Sequence, residues 1–310
     1  MIADRQYSVS SLIPYIDWGY FLHAWQMPTS LIGAWSVHPC MSCREAWIGA
    51  QDEKHKASAR EALRLADDSN KLLGKIGNKT EARCRVGLFD ANSIDDDIII
   101  TTDDNNKHRL PCLRRQNITA GHSSLCLSDF IRPQSSGKKD KIGVFATTID
   151  YDPDTESKGD PYIRLLRQTL CDRLAEAAAC RFHEEVRKQI WGYAPNENLS
   201  IKEMQREQNQ GIRPAVGYPS LPDQSINFII DTLINMQELG ITLTENGAMH
   251  PHASVSGLMI ALKDARYFAV GPIDEEQFID YTSRRGLTAE KMRQFLAANH
   301  PADTGTQDKT

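Results

Sequence analysis

The sequence predicts an α+β fold, and three observations carry that prediction. Helical and strand-like stretches alternate without the repeated strand-helix units of a doubly wound parallel sheet. The short β-branched runs cluster between residues 83 and 149. After Pro161 the pattern turns strongly helical. The 310 residues, 40% hydrophobic and 25% charged, are enough to bury a sizeable core. One domain over residues 1–300 is expected, with the polar residues 301–310 as a disordered tail.

In chain order, residues 42–76 are charged, alanine-rich and free of proline, with Ala46, Ala50, Ala57, Leu63, Leu65 and Leu72 marking one long helical region that Gly74 and Gly77 close. Residues 83–89 and 97–102 read as strands, separated by Asn92, Ser93 and the acidic run Asp95-Asp96-Asp97, which reads as a solvated turn rather than a cation site. Residues 125–131 and 141–149 read as further strands around a polar loop at 134–140, and residues 151–160 form an acidic loop. From 170 to 190 a helix carries Leu170, Leu174, Phe182 and Val186 on one side. Asp172, Glu176, Ala179 and His183 form a polar stripe, which suits either a bound cation or amine or an ordinary solvated face. Residues 251–262 and 266–273 read as a hairpin around Lys263-Asp264. Residues 274–285 and 288–297 read as closing helices.

A net charge of −5 with no basic stripe argues against nucleic-acid binding. No apolar run approaches the ~18 residues of a membrane span, and no basic region followed by an apolar core opens the chain. A cytoplasmic location is expected. Seven scattered cysteines, an odd number, do not form a disulfide framework and are expected to be reduced. Cys40-Met41-Ser42-Cys43 has zinc-ligand spacing, but no second pair or His-x3-5-His comes after it, so no metal site is expected. His250 and His252, flanking Pro251 without a third ligand nearby, read as surface or packing residues, and the Asn-x-Ser/Thr matches at Asn78, Asn117 and Asn198 matter only in a secreted protein.

The most informative stretch is Gly211-Ile212-Arg213-Pro214-Ala215-Val216-Gly217-Tyr218-Pro219. Two prolines stiffen it and two glycines open backbone paths that a Cβ forbids, so Arg213 is presented rather than left mobile. Its planar fork suits a carboxylate. A surface turn with a solvated arginine is the plain alternative. Around it stand Trp191-Gly192-Tyr193-Ala194-Pro195-Asn196-Glu197-Asn198-Leu199, Met249-His250-Pro251-His252-Ala253-Ser254-Val255-Ser256-Gly257 and Ala265-Arg266-Tyr267-Phe268-Ala269-Val270. Tyr15-Ile16-Asp17-Trp18 and Val86-Gly87-Leu88-Phe89-Asp90-Ala91-Asn92 precede them. In order and spacing these motifs resemble the C-terminal activation domain of cobalamin-dependent methionine synthase, over about residues 12–299.

The resemblance implies a C-shaped single domain with a bent antiparallel sheet flanked by helices. It implies binding of S-adenosylmethionine and delivery of its methyl group to cobalamin after oxidation to inactive cob(II)alamin. The cobalamin-binding module of the synthase would be one partner, and flavodoxin or a similar flavoprotein would donate the electron. Carried over by position, Arg213 would take the methionyl carboxylate and Asp17 its ammonium group. The backbone at Ala215, Gly217 and Tyr218 would run against the ligand, Tyr267 and Phe268 would flank it, and Glu176 and Glu207 would line the site near the sulfonium. Asp172 would lie where the cobalamin module docks. These are positioning roles, with no catalytic acid or base implied. Val216 replaces a proline and Phe268 a tyrosine common in the family. Those departures keep open a second reading, a non-catalytic docking module for a corrinoid protein or flavodoxin. The chain lacks the cobalamin-ligand motif, a zinc-homocysteine cysteine set and a folate module, so it is not expected to make methionine alone, whether as an excised domain or a separate subunit.

Overall fold

The computed structural model describes residues 1–117, 123–151 and 159–300. Its helices are α1 (Val9–Leu12), α2 (Trp18–Ala24), α3 (Met41–Gly49), α4 (Lys56–Gly77), α5 (Pro161–Glu185), α6 (Ile201–Gln205), α7 (Ile226–Ile234), α8 (Glu275–Arg285) and α9 (Ala289–Phe295). Its strands are β1 (Ile2–Ser8), β2 (Glu81–Ile94), β3 (Asp97–Thr101), β4 (Lys107–Pro111), β5 (Asp140–Ile149), β6 (Thr242–Leu243), β7 (Met249–His250) and β8 (Ser254–Met259). Wherever strands pair, they pair antiparallel, and the order across the main sheet is β4-β3-β2-β5-β8. The long strand β2 gives one edge to two partners, β1 at residues 81–87 and β3 at residues 90–94, while β5 runs along its other edge from Ala82 to Ala91. The sheet does not close. β6 and β7 form a separate pair.

Each face of the sheet carries its own core. One side packs Phe145, Val86 and Ile149 with Leu170, Leu174 and Phe182 of α5 and with the apolar residues of α4. The other packs Ile98, Ile142, Val144 and Leu258 with Ile226 and Ile230 of α7 and with Phe278 and Tyr281 of α8. Strand residues bury alternate sides by period two, so a single sheet between two helical layers has both faces apolar. The α+β expectation therefore holds in class. Asp160 explains where α5 begins, because its carboxylate accepts from the N–H of Tyr162 at 2.9 Å while Pro161 occupies the first position, where no donor is needed.

Several expected elements differ. Residues 42–76 are two helices, since the chain leaves α3 at Gly49 and re-enters through a short 3₁₀ turn at Glu53–His55; α4 then runs through Gly74 to Gly77. Residues 125–131 are no strand. A 3₁₀ turn at Leu127–Phe130 forms instead, because Asp129 accepts the Cys126 N–H at 2.8 Å and its carboxylate is fixed by Arg114. The expected hairpin fails in its second arm. Residues 266–273 pair with no strand, and Val270 N–H donates instead to the Pro219 carbonyl at 2.9 Å. The acidic run is a tight turn with Asp95 at φ 49°, yet it is not solvated throughout: Arg114 binds Asp96 at 2.6 Å and Arg284 binds the buried Asp97 at 2.6 Å. Strands β1 and β4 and helix α7 lie outside the expected elements. The tail at 301–310 and most of the acidic loop at 151–160 lie outside the described residues.

Candidate functional site

Strand β8 has β5 on one side, and on the other the extended segment Ile212–Val216 takes the place of the missing hairpin arm. Ile212 exchanges bonds with Ile260 at 2.9 and 3.0 Å, Leu258 N–H donates to the Pro214 carbonyl at 2.9 Å, and Val216 N–H donates to the Ser256 carbonyl at 2.9 Å. Two glycines make that approach feasible. A Cβ on Gly257 would lie 2.2 Å from the Pro214 oxygen, and one on Gly211, which sits at φ 78°, would lie 2.3 Å from the Ile260 oxygen.

In this pairing the even residues turn their backbone polar groups toward β8, and the odd ones turn theirs away. Arg213 N–H donates to the Tyr267 hydroxyl at 2.8 Å. Among the described residues, Ala215 N–H has no acceptor. The Arg213 side chain lies on the α5 side, its guanidinium 5.5 Å from the Phe145 ring centre and its side chain 15% exposed. Glu176 on α5 is its counter-ion, Oε2 standing 3.7 Å from Nη2, and Glu176 also accepts from the Tyr218 hydroxyl. That separation is an ion pair but not a hydrogen bond. Burial is the largest single influence and works against the Arg213 charge, but Glu176 together with Tyr267, Cys180 and Tyr218 outweighs it and holds the guanidinium protonated. The fork is thus charged, mostly withdrawn from water and not engaged by both oxygens of any carboxylate among the described residues.

The other expected residues divide. Glu207 senses the Arg213 charge, though burial dominates and raises its carboxyl. Asp172, one turn before Glu176 on α5, meets His252 at 3.4 Å, and burial raises its carboxyl against that pairing. Asp172 and Glu176 thus face the site side of α5, and the stripe is no solvated face, since Ala179 and His183 are buried. Gly217, at φ 85°, has open space where a Cβ would point. Asp17 caps α2, its Oδ1 accepting from Gly19 at 2.8 Å and Tyr20 at 3.1 Å, and among the described residues it forms no hydrogen bond or ion pair with Arg213, Glu176, Tyr218 or Tyr267. Phe268 does not flank the cluster. Its ring is buried in the opposite core, 6.3 Å from the Phe130 ring, and its N–H meets the Ser220 hydroxyl at 3.1 Å.

Residues outside the expected set hold the cluster from behind. Arg187, in the π turn Val186–Ile190 that ends α5, donates through Nε to Glu197 at 2.8 Å; Arg187 is buried and Glu197 nearly so. The second Glu197 oxygen accepts the Gln210 N–H at 3.1 Å, next to Gly211. Tyr193 meets His183 Nε2 at 3.2 Å. Burial, then the charges of Arg187 and Arg213, hold the His183 pKa well below its usual value. Folded His183 therefore stays neutral where the unfolded chain, with a pKa near 6.5, takes up a proton. Stability that is complete above about pH 6.5 is lost as pH falls below it, by up to about 1.4 kcal/mol per pH unit. Urea denaturation at several pH values is expected to show a shallower acid slope in His183→Gln than in the wild type; equal slopes contradict the assignment.

The family model for the vitamin B12-dependent methionine synthase activation domain matches residues 8–286. This chain belongs to that family. Among solved structures, this activation domain is similar to the crystal structure of the MetH reactivation domain bound to AdoHcy, at 38% identity and a TM-score of 0.82, the match covering 98% of this chain and 91% of that one. The two departures from the family's usual residues both take part in the fold of this activation domain. Val216 supplies an N–H that a proline lacks and donates it to β8, while Phe268 points into the core. No helix among the described residues is long and apolar enough to cross a membrane.

Proposed function

We propose that this domain binds S-adenosylmethionine along the Ile212–Val216 edge and presents its methyl group to cobalamin held by a separate module, as the reactivating part of a B12-dependent methionine synthase. The observation that carries this reading is the Arg213 guanidinium, charged and largely buried yet lacking a hydrogen-bonded carboxylate. A ligand carboxylate fits it bidentately, and the Ala215 N–H, unpaired among the described residues, offers a further donor at the outer edge of the same segment. The similar reactivation domain, solved with AdoHcy, supports the same class of ligand. Cobalamin, when bound, supplies a nucleophilic cobalt, and the sulfonium is already an activated donor, so the protein's task is orientation and exclusion of water.

In this reading Glu176 and Glu207 place negative charge on the sulfonium side, Tyr218 and Tyr267 fix Glu176 and the Arg213 backbone, and Gly217 leaves room for the ligand. Asp17 keeps a second carboxylate oxygen, beyond the one that caps α2, for the ligand's ammonium group. Asp172 and His252 mark the surface for the cobalamin module, and a flavodoxin-like protein supplies the electron. Calorimetric titration with S-adenosylmethionine tests the core of the proposal. Saturable binding is expected. Its absence, with docking to the cobalamin module retained, would leave the docking-module reading instead.

A further inference from the structure

Among the described residues, none after Cys43 joins the Cys40–Cys43 pair as a third ligand, but the fold brings in a residue that precedes the pair. His38, Cys40 and Cys43 bring one ligand atom each to within 4.8 Å of one another, the only such group of three among the described residues. We propose that they form a Cys2His site for Zn2+ or a similar thiolate-binding cation, with a fourth position open to solvent. This inference is independent of the S-adenosylmethionine site.

The local chain explains the cluster. Pro39 fixes the path between His38 and Cys40, and α3 begins at Met41 with Cys40 as its cap, so Cys43 lies in the first turn and folds back over Cys40. Cys43 N–H donates to Cys40 Sγ at 3.2 Å and Cys40 N–H donates to His38 Nδ1 at 3.3 Å. A sulfur that accepts an N–H at a helix start is favoured as thiolate, the form that binds metal. Tetrahedral zinc, with bonds of about 2.3 Å to sulfur and 2.0 Å to nitrogen, needs ligand atoms roughly 3.5–3.8 Å apart. The atoms now lie up to 4.8 Å apart, a difference of about 1 Å that side-chain rotation at these accessible residues would take up.

Two thiolates and an imidazole select a borderline-soft cation over Mg2+ or Ca2+, which want oxygen. The carboxylates at 95–97 offer no rival, since Asp96 and Asp97 are held by Arg114 and Arg284. All three ligands come from six consecutive residues, so a bound ion ties the segment after the 3₁₀ helix Thr29–Ser36 to the first turn of α3. The 3₁₀ helix itself carries Trp35, which stacks on Trp18, the residue after Asp17, at 4.3 Å.

The test is Co2+ titration of the full chain, kept anaerobic with a phosphine reductant. Thiolate-to-cobalt charge-transfer absorption and tetrahedral ligand-field bands are expected, saturating at one equivalent and bleached by Zn2+. Loss of a direct ligand should weaken binding at least as much as loss of an outer-shell partner, so Cys43→Ser and His38→Ala are each expected to cost about 10–100-fold or more. In the wild-type chain, Zn2+ is expected to protect Cys40 and Cys43 from alkylation, as mapped on peptides, which keeps the test valid if a variant misfolds. Octahedral, thiolate-free cobalt spectra would overturn the site. So would bands that survive Cys43→Ser, protection at other cysteines, or a Cys40–Cys43 disulfide that persists under the reductant in place of metal.

Discussion

Arg213→Ala is expected to weaken S-adenosylmethionine binding by roughly 10- to 100-fold. A charge-assisted bidentate contact is worth about 1.5–3 kcal/mol, and each 1.4 kcal/mol is a factor of ten in affinity. Some stability should be lost too, because Glu176 loses its counter-ion and Phe145 the guanidinium packed on its ring, so the titration is read on variant protein shown to be folded. The Arg213 backbone bond to Tyr267 and its neighbours' bonds to β8 do not depend on the side chain. Arg213→Lys is expected to fall between, keeping charge near Glu176 but losing the fork. Parallel calorimetric titrations of the three proteins check this. Equal affinity in Arg213→Ala would show that the ligand carboxylate binds elsewhere.

Features set by local physics are legible in this sequence, and features set by distant pairing are not. Arg213 is readable because its signal is local: proline and glycine on both sides constrain the backbone whatever surrounds them. Leu170, Leu174, Phe182 and Val186 are readable for a similar reason, as a helix's apolar spacing survives in one dimension, and all four are buried. Pairing between distant segments leaves no such trace. The apolar run at 266–273 has a strand-like composition, but β8 takes Ile212–Val216 as its neighbour, a choice decided by Gly257 and Gly211 allowing backbones to meet. Residues 125–131 mislead in the opposite direction, because the Asp129 bond to Cys126 outweighs β propensity. Phe268 cannot be assigned to a face until its strand is known to be absent. His38 is hidden because zinc-binding spacings look for the partner after a Cys-x-x-Cys pair, whereas this histidine stands before it.

Glu197 shows a different limit, since it lies in a recognisable motif but its role depends on a partner reached only through the fold. Glu197→Ala is expected to cost about 3–5 kcal/mol of stability, because it strands a buried charge. Arg187 is 1% exposed and Glu197 10%, so neither water nor another carboxylate among the described residues replaces the lost partner. Removing both charges, as in Arg187→Met with Glu197→Leu, should cost less than the single change, since no ion is left uncompensated. Urea unfolding of the two variants separates these terms. A Glu197→Ala cost below about 1 kcal/mol would mean that Arg187 finds solvent or a new partner. The ligand should report the same pair independently. Glu197 also holds the Gln210 N–H beside Gly211, so both variants are expected to bind S-adenosylmethionine more weakly even where they remain folded, with the double variant stable but loose at Arg213. Stability restored without affinity is the pattern of a residue that positions the site through the backbone.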